Sequence, residues 1–164
     1  MHFISSPIKV CIVVPMFNEE RIARISTETI IQYTKALPPT ATLLVVNDGS
    51  RDKTEDIIKT IAAQYQPKDF TVLSHATNRG YGAALKTGIR YAVDNKYDYV
   101  LFMDSDLTNH PKYLHVFYEK MIEGWDYIKA SRYAKGGRVE GVPWLHRVIS
   151  IVGNHIARHL YGLQ

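Results

Sequence analysis

Five times along this 164-residue chain a short apolar run gives way to a segment with helical spacing. The runs are IKVCIVV (8–14), TLLVV (42–46), FTVLS (70–74), DYVLFM (98–103) and DYIKAS (126–131). The strongest of them are continuous rather than alternating, the pattern of parallel strands covered on both faces. Between them lie expected helices over 19–36, 52–65, 82–95 and 111–122, with a last one over 144–164. The first has Ile22, Ile25, Thr29 and Tyr33 near helical spacing and is stopped by Pro38-Pro39, and Pro111 sits where a first helical turn accepts proline. YAKGGRVEGVP (133–143), with three glycines and no apolar period, reads as a loop. Alternating strand and helix predicts an α/β fold: an open, mostly parallel twisted sheet between helix layers, as one domain over 1–164.

In such a sheet ligands bind beyond the carboxyl ends of the strands, where the strand order reverses. The predicted tips read PMFNEE (15–20), NDGSRD (47–52), HATNRGYGAA (75–84), DSDLTNHP (104–111) and SRY (131–133). Asp104 and Asp106 are the most demanding feature, because two carboxylates at one strand end repel unless one is protonated or a cation lies between them. A divalent metal is the simplest remedy, and hard oxygen ligands favour Mg2+ or Mn2+ with open positions for water and a diphosphate. The competing reading has one aspartate capping the next helix and the other in solvent. Asp48 carries a similar choice: a turn residue beside Gly49, with Ser50 or Asp52 as helix cap, or an acceptor for a nucleobase or ribose. Two common phosphate devices are missing, since GxxxxGK[ST] does not occur and Leu85 breaks GxGxxG in RGYGAALKTG.

Composition narrows the partners. Residues 1–124 balance 14 basic against 14 acidic side chains, so the net charge of +4 comes from residues 125–164, where six basic residues face two acidic ones. That end is expected to meet an anion. Aromatics are not interleaved on strands there, which argues against nucleic acid. The lone Cys11 lies inside an apolar strand and reads as a buried structural thiol, in keeping with a reducing compartment. No apolar run approaches a membrane span of roughly 18 residues, and MHFISSPIKV lacks a signal-peptide core.

Taken together, VVPMFNEE, VVNDGSRDKT, NRGYGAALKTGIRYA, FMDSDLTNHP and ASRYAKGGRVEG, in that order, resemble the inverting family 2 glycosyltransferases of GT-A fold. Within the family they are most similar to the dolichyl-phosphate mannose synthase and polyprenyl-phosphate glycosyltransferase branch. The resemblance implies a three-layer, Rossmann-like nucleotide-diphospho-sugar transferase fold. It implies that Pro15, Phe17 and Glu19 hold base and ribose, with Phe17 where tyrosine is common, and that Asp48 binds base or ribose. Asp104, Ser105 and Asp106 match the DxD segment that holds metal and donor diphosphate, with Ser105 in place of a common alanine. Thr108 stands near the metal where the synthases often carry glutamine. Arg132 matches an arginine facing phosphate, and Arg147 and Ser150 match an acceptor-phosphate pair. The family's next motif, bearing a further cation, would begin after Gln164, so the chain is expected to be truncated.

The resemblance implies a metal-dependent transfer of mannose or glucose from GDP-mannose or UDP-glucose to polyprenyl or dolichyl phosphate. A lipid phosphate is already ionised near pH 7 and needs cations rather than a general base, which fits Arg132 and Arg147. Two other readings stay open: a related transferase with a hydroxyl acceptor, or a sugar-nucleotide-binding fragment without turnover. The last helix, with Val148, Ile149, Ile151, Val152, Ile156 and Leu160 against Arg147 and Arg158, either packs on the sheet or lies in a membrane interface. The expected location is cytoplasmic, at the cytoplasmic face of a membrane.

Overall fold

The computed structural model describes residues 7–38 and 40–130. Up to Ile128 these belong to one compact unit. Four strands, β1 (Val10–Met16), β2 (Ala41–Asn47), β3 (Phe70–Ser74) and β4 (Tyr99–Phe102), form a sheet in the order β3-β2-β1-β4. All three pairings are parallel, with Val10 opposite both Ala41 and Tyr99, and Leu43 opposite Phe70. Helices α1 (Ala23–Lys35), α2 (Thr54–Ala62) and α3 (Tyr81–Asp94) follow the first three strands. After β4 a single 3-10 turn (Pro111–Tyr113) leads into α4 (Leu114–Ile122), so the proline expected at a first turn is there.

Every residue of β1 and β2 is buried, and alternate residues serve opposite layers. Ile12, Val14, Leu43 and Val45 pack with Ile30, Ile58, Ile61, Phe70, Leu114 and Met121, placing α1, α2 and α4 on one face. Cys11, Val13, Leu44 and Val46 meet Ala84 and Ala92 of α3 on the other. Burial pushes the Cys11 thiol up to about 12, as suits an inert core thiol. The α3 layer sits close because its inner stripe is Ala84, Gly88 and Ala92. A Cβ on Gly88 would lie 2.4 Å from Val13 Cγ1. Gly88→Ala is therefore expected to cost about 2 kcal/mol by overpacking, read as a lower urea midpoint with an unchanged m-value.

Three sequence expectations change. The buried stripe of α1 is Ala23, Ser26, Thr27, Ile30, Ile31 and Thr34, whereas Ile25 is 64% exposed. The larger side chains of that helix mislead because small residues let it lie close to the sheet. The helix also begins at Ala23, since Glu19–Ile22 form a turn in which the Glu19 carbonyl accepts the N–H groups of Ile22 and Ala23. Finally, residues 126–130 belong to no strand, because they share no ladder with another strand among the described residues. Ser131, the rest of that segment, lies outside the described residues, as do the residues expected to form a loop over 133–143 and a helix over 144–164.

Pro15 shows where the sheet opens. Residues two apart on a strand point their backbone groups the same way, and the Val13 carbonyl accepts from Met103 on the β4 side. The missing N–H of Pro15 therefore also faces β4, whose paired residues end at Phe102. Because β2 and β3 lie to one side of β1 and β4 to the other, the order reverses between β1 and β4. The crevice opens there.

Candidate active site

Two loops at this end are tied to each other. After β1, the Asn18 N–H donates to Ser50 Oγ (3.0 Å), and Asn18 Oδ1 accepts from the Arg51 N–H (2.8 Å). The Glu19 N–H donates to Thr54 Oγ1 at 2.7 Å, and the Glu20 N–H to Asp52 Oδ2 at 3.0 Å. Asp52 Oδ1 also accepts from the Thr54 N–H in a turn just before α2, whose N-cap is Lys53, so neither Ser50 nor Asp52 is the helix cap expected from the sequence. This stitching fixes the segment carrying buried Pro15, exposed Phe17 and half-buried Glu19. Asn18 sits at φ +55°, a left-handed conformation that asparagine tolerates.

Asp48 lies at the tip of β2 and is 3% exposed. Its Oδ1 accepts from His75 Nδ1 (2.6 Å) and the Arg79 N–H (3.0 Å), and its Oδ2 from the Gly80 N–H (2.8 Å). Burial alone would raise its pKa, but the hydrogen bonds from His75, Arg79 and Gly80 prevail and hold the carboxyl below its ordinary value. Gly49 follows at φ +68°, and a Cβ there would come within 2.3 Å of the Thr77 carbonyl carbon. Asp48 is thus a structural clamp between β2 and the β3–α3 loop, which the turn reading of the sequence did not foresee. Nothing local signals His75, which lies 27 residues away and shows no metal-ligand spacing.

The two aspartates after β4 lie beyond the strand, so side-chain alternation does not aim them. Loop contacts do so instead. Asp104 Oδ1 accepts from the Tyr81 hydroxyl at 3.2 Å, and Oδ2 from Asn109 Nδ2 at 3.4 Å. Asp106 Oδ1 accepts from both the hydroxyl and the N–H of Thr108. Those bonds outweigh partial burial and hold the Asp106 carboxyl below its usual value, hence ionised. Tyr81 moves upward through burial, the Asp104 charge and their hydrogen bond, so it stays a donor. Ser105 is buried between the two, and Leu107 turns the loop at φ +59°. His110 does not reach the aspartates by any hydrogen bond described; its Nδ1 accepts from the Lys112 N–H at the start of the 3-10 turn. Neither aspartate forms an ion pair among the described residues, and no third His, Cys, Asp or Glu completes a metal cluster there. Two carboxylates at one strand end without a cationic partner among the described residues suit a hard divalent ion whose other positions go to water and ligand.

Gly80 and Tyr81 join the two halves, since one donates to Asp48 and the other to Asp104. The start of α3 therefore connects the tips of β2 and β4. Arg132, Arg147 and Ser150 lie outside the described residues.

Residues 11–163 match the family model described as Glycosyl transferase family 2. The chain belongs to this family. Among curated family relatives, an uncharacterised glycosyltransferase of Synechocystis is 33% identical over 131 residues, covering 79% of this chain and 39% of the relative. An undecaprenyl-phosphate mannosyltransferase of Micrococcus luteus is 29% identical over 156 residues, covering 95% of this chain and 61% of the relative. The chain thus spans less than two thirds of the length of these family members. Two solved structures share the fold. A mannosyltransferase from Pyrobaculum calidifontis, in complex with GDP-Man and Mn2+, superposes with TM-score 0.52 at 22% identity, covering 65% of this chain and 31% of that one. Residues 1–349 of S. aureus TarS, in complex with UDP-GlcNAc, give 0.54 at 22%, covering 78% and 39%. The family fold is GT-A.

Proposed function

We propose that the chain is a metal-dependent glycosyltransferase catalytic domain that moves mannose or glucose from a nucleotide-diphosphate sugar to polyprenyl or dolichyl phosphate, with inversion. The observation that carries this reading is the bridge through Gly80 and Tyr81, which sets a nucleoside-side carboxylate, Asp48, in one frame with Asp104 and Asp106. The lipid-phosphate acceptor is supported by the Micrococcus luteus relative, whose name gives undecaprenyl phosphate.

In this reading Pro15, Phe17, Glu19 and Asp48 receive the nucleoside, and Asp104 and Asp106 would hold a Mg2+ or Mn2+ ion at the donor diphosphate. When bound, such an ion neutralises charge that develops on the departing diphosphate. Thr108 keeps Asp106 ionised and turned, and Tyr81 restrains Asp104, so the carboxylates need little reorganisation during reaction. An acceptor phosphate oxygen attacks C1 opposite the leaving group; its bond to C1 forms as the bond to the diphosphate breaks. Arg132, Arg147 and Ser150 are assigned to that acceptor phosphate. Work on a lipid places the domain at the cytoplasmic face of a membrane, although no described helix is long and apolar enough to cross one.

Calorimetric titration of GDP-mannose and UDP-glucose, with Mn2+ and with chelator, tests donor and metal together. One donor is expected to bind only with metal, and its labelled sugar to partition with undecaprenyl phosphate rather than with a soluble alcohol acceptor. Absence of donor binding in the presence of metal overturns the proposal.

A further inference from the structure

His75 stands outside the family motifs, yet its backbone N–H and both ring nitrogens are engaged. It directly follows β3, and its N–H donates to the Asn47 carbonyl at 2.9 Å. Its Nδ1 meets Asp48 Oδ1 at 2.6 Å, and its Nε2 meets Thr87 Oγ1 of α3 at 2.8 Å. Both side chains of the His75–Asp48 pair are nearly inaccessible, at 6% and 4% exposure. We propose that His75, backed by Thr87, is a positioning residue that sets the Asp48 carboxylate so that a single acceptor position, on Oδ2, remains for the nucleoside.

The argument is a count of lone pairs. A carboxylate oxygen accepts two hydrogen bonds in good geometry. Oδ1 already takes His75 and the Arg79 amide, whereas Oδ2 takes only the Gly80 amide. The ionised carboxylate has no proton to give, so Nδ1–H donates. In the neutral ring Nε2 then accepts from the Thr87 hydroxyl. That second bond fixes the plane of the imidazole, as outer partners do for histidines that must be held in one orientation. The aspartate χ2 torsion has a broad energy profile. Without His75, only the Arg79 and Gly80 amides hold the group, and Oδ1 gains a vacant acceptor position that competes with the one on Oδ2. Because the pair is buried, its bonds act in a low dielectric and restrain strongly.

The inference rests on Asp48 facing the nucleoside in the proposed function. It is tested on the 164-residue chain by the affinity for GDP and UDP with Mn2+, alongside the unliganded melting midpoint. His75→Ala is expected to weaken the nucleotide preferred by the wild type by about 10-fold, the scale of one lost orienting bond to a charged group. His75→Asn places an amide N–H near the Nδ1 position and should restore affinity to within about 3-fold, and Thr87→Val should lose about 3-fold. A lower midpoint with unchanged affinity in His75→Ala would mean a purely structural histidine and overturn the inference alone. So would failure of His75→Asn to recover binding. No binding of either nucleotide by the wild type would instead overturn the donor-site reading itself.

Discussion

Replacing Asp106 with alanine is expected to lower sugar transfer by roughly 10³-fold, about 4 kcal/mol of lost transition-state stabilisation, while the fold stays intact. Asp106 is exposed, and its only described partner is Thr108, two residues on, so its removal should shift stability by about 0.5 kcal/mol or less. The separation of the two effects is what makes the variant informative. Asp106→Asn keeps the Thr108 contact but removes the charge, and should be nearly as inactive if the charge binds metal. The measurement is transfer at saturating donor across a Mn2+ series, with the melting midpoint as control. Activity in Asp106→Ala within 10-fold of wild type would remove the carboxylate pair from the proposed chemistry.

Asp48→Ala is expected to act first on stability. It strips acceptors from His75 Nδ1 and from the amides of Arg79 and Gly80, leaving donors unsatisfied in a site that is 3% open to solvent. A buried donor left without its acceptor costs about 1–3 kcal/mol, and urea denaturation should show the loss as a lower midpoint. The same pair sets an acid response. Since the folded carboxyl titrates below its unfolded counterpart, its contribution to stability is full above about pH 4, the ordinary aspartate range. That contribution is lost as pH falls through the depressed folded value, because protons bind the unfolded chain first. Asp48→Ala should therefore flatten the stability curve below pH 4 relative to wild type. Parallel curves for the two proteins would contradict the assignment.

Much of this was legible one segment at a time. Continuous apolar runs announced strands buried on both faces, and β1 and β2 are buried throughout. The motif order pointed to family 2, and the family match bears that out. The tips named after the first four strands do follow β1 to β4 at their carboxyl ends, because a parallel α/β sheet puts those loops together whatever their sequence. The errors arose where burial depends on a neighbour. On α1, Ile25 carries a strong apolar signal and is exposed, whereas Ser26 and Thr27 are buried with side-chain oxygens that find no partner among the described residues. Residues 126–130 have a plausible strand composition, but a strand requires a ladder, and composition does not supply its partner.

By itself, then, the sequence determined the succession of elements, the parallel character of the sheet and the acidic groups at its carboxyl end, since each follows from local periodicity and residue type. Only the tertiary structure decided which groups hold which. It paired Asp48 with His75, brought Gly80 and Tyr81 between Asp48 and Asp104, and set Val13 against Gly88. These contacts span tens of residues, and their partners are chosen by how strands order and helices dock, which no local spacing encodes.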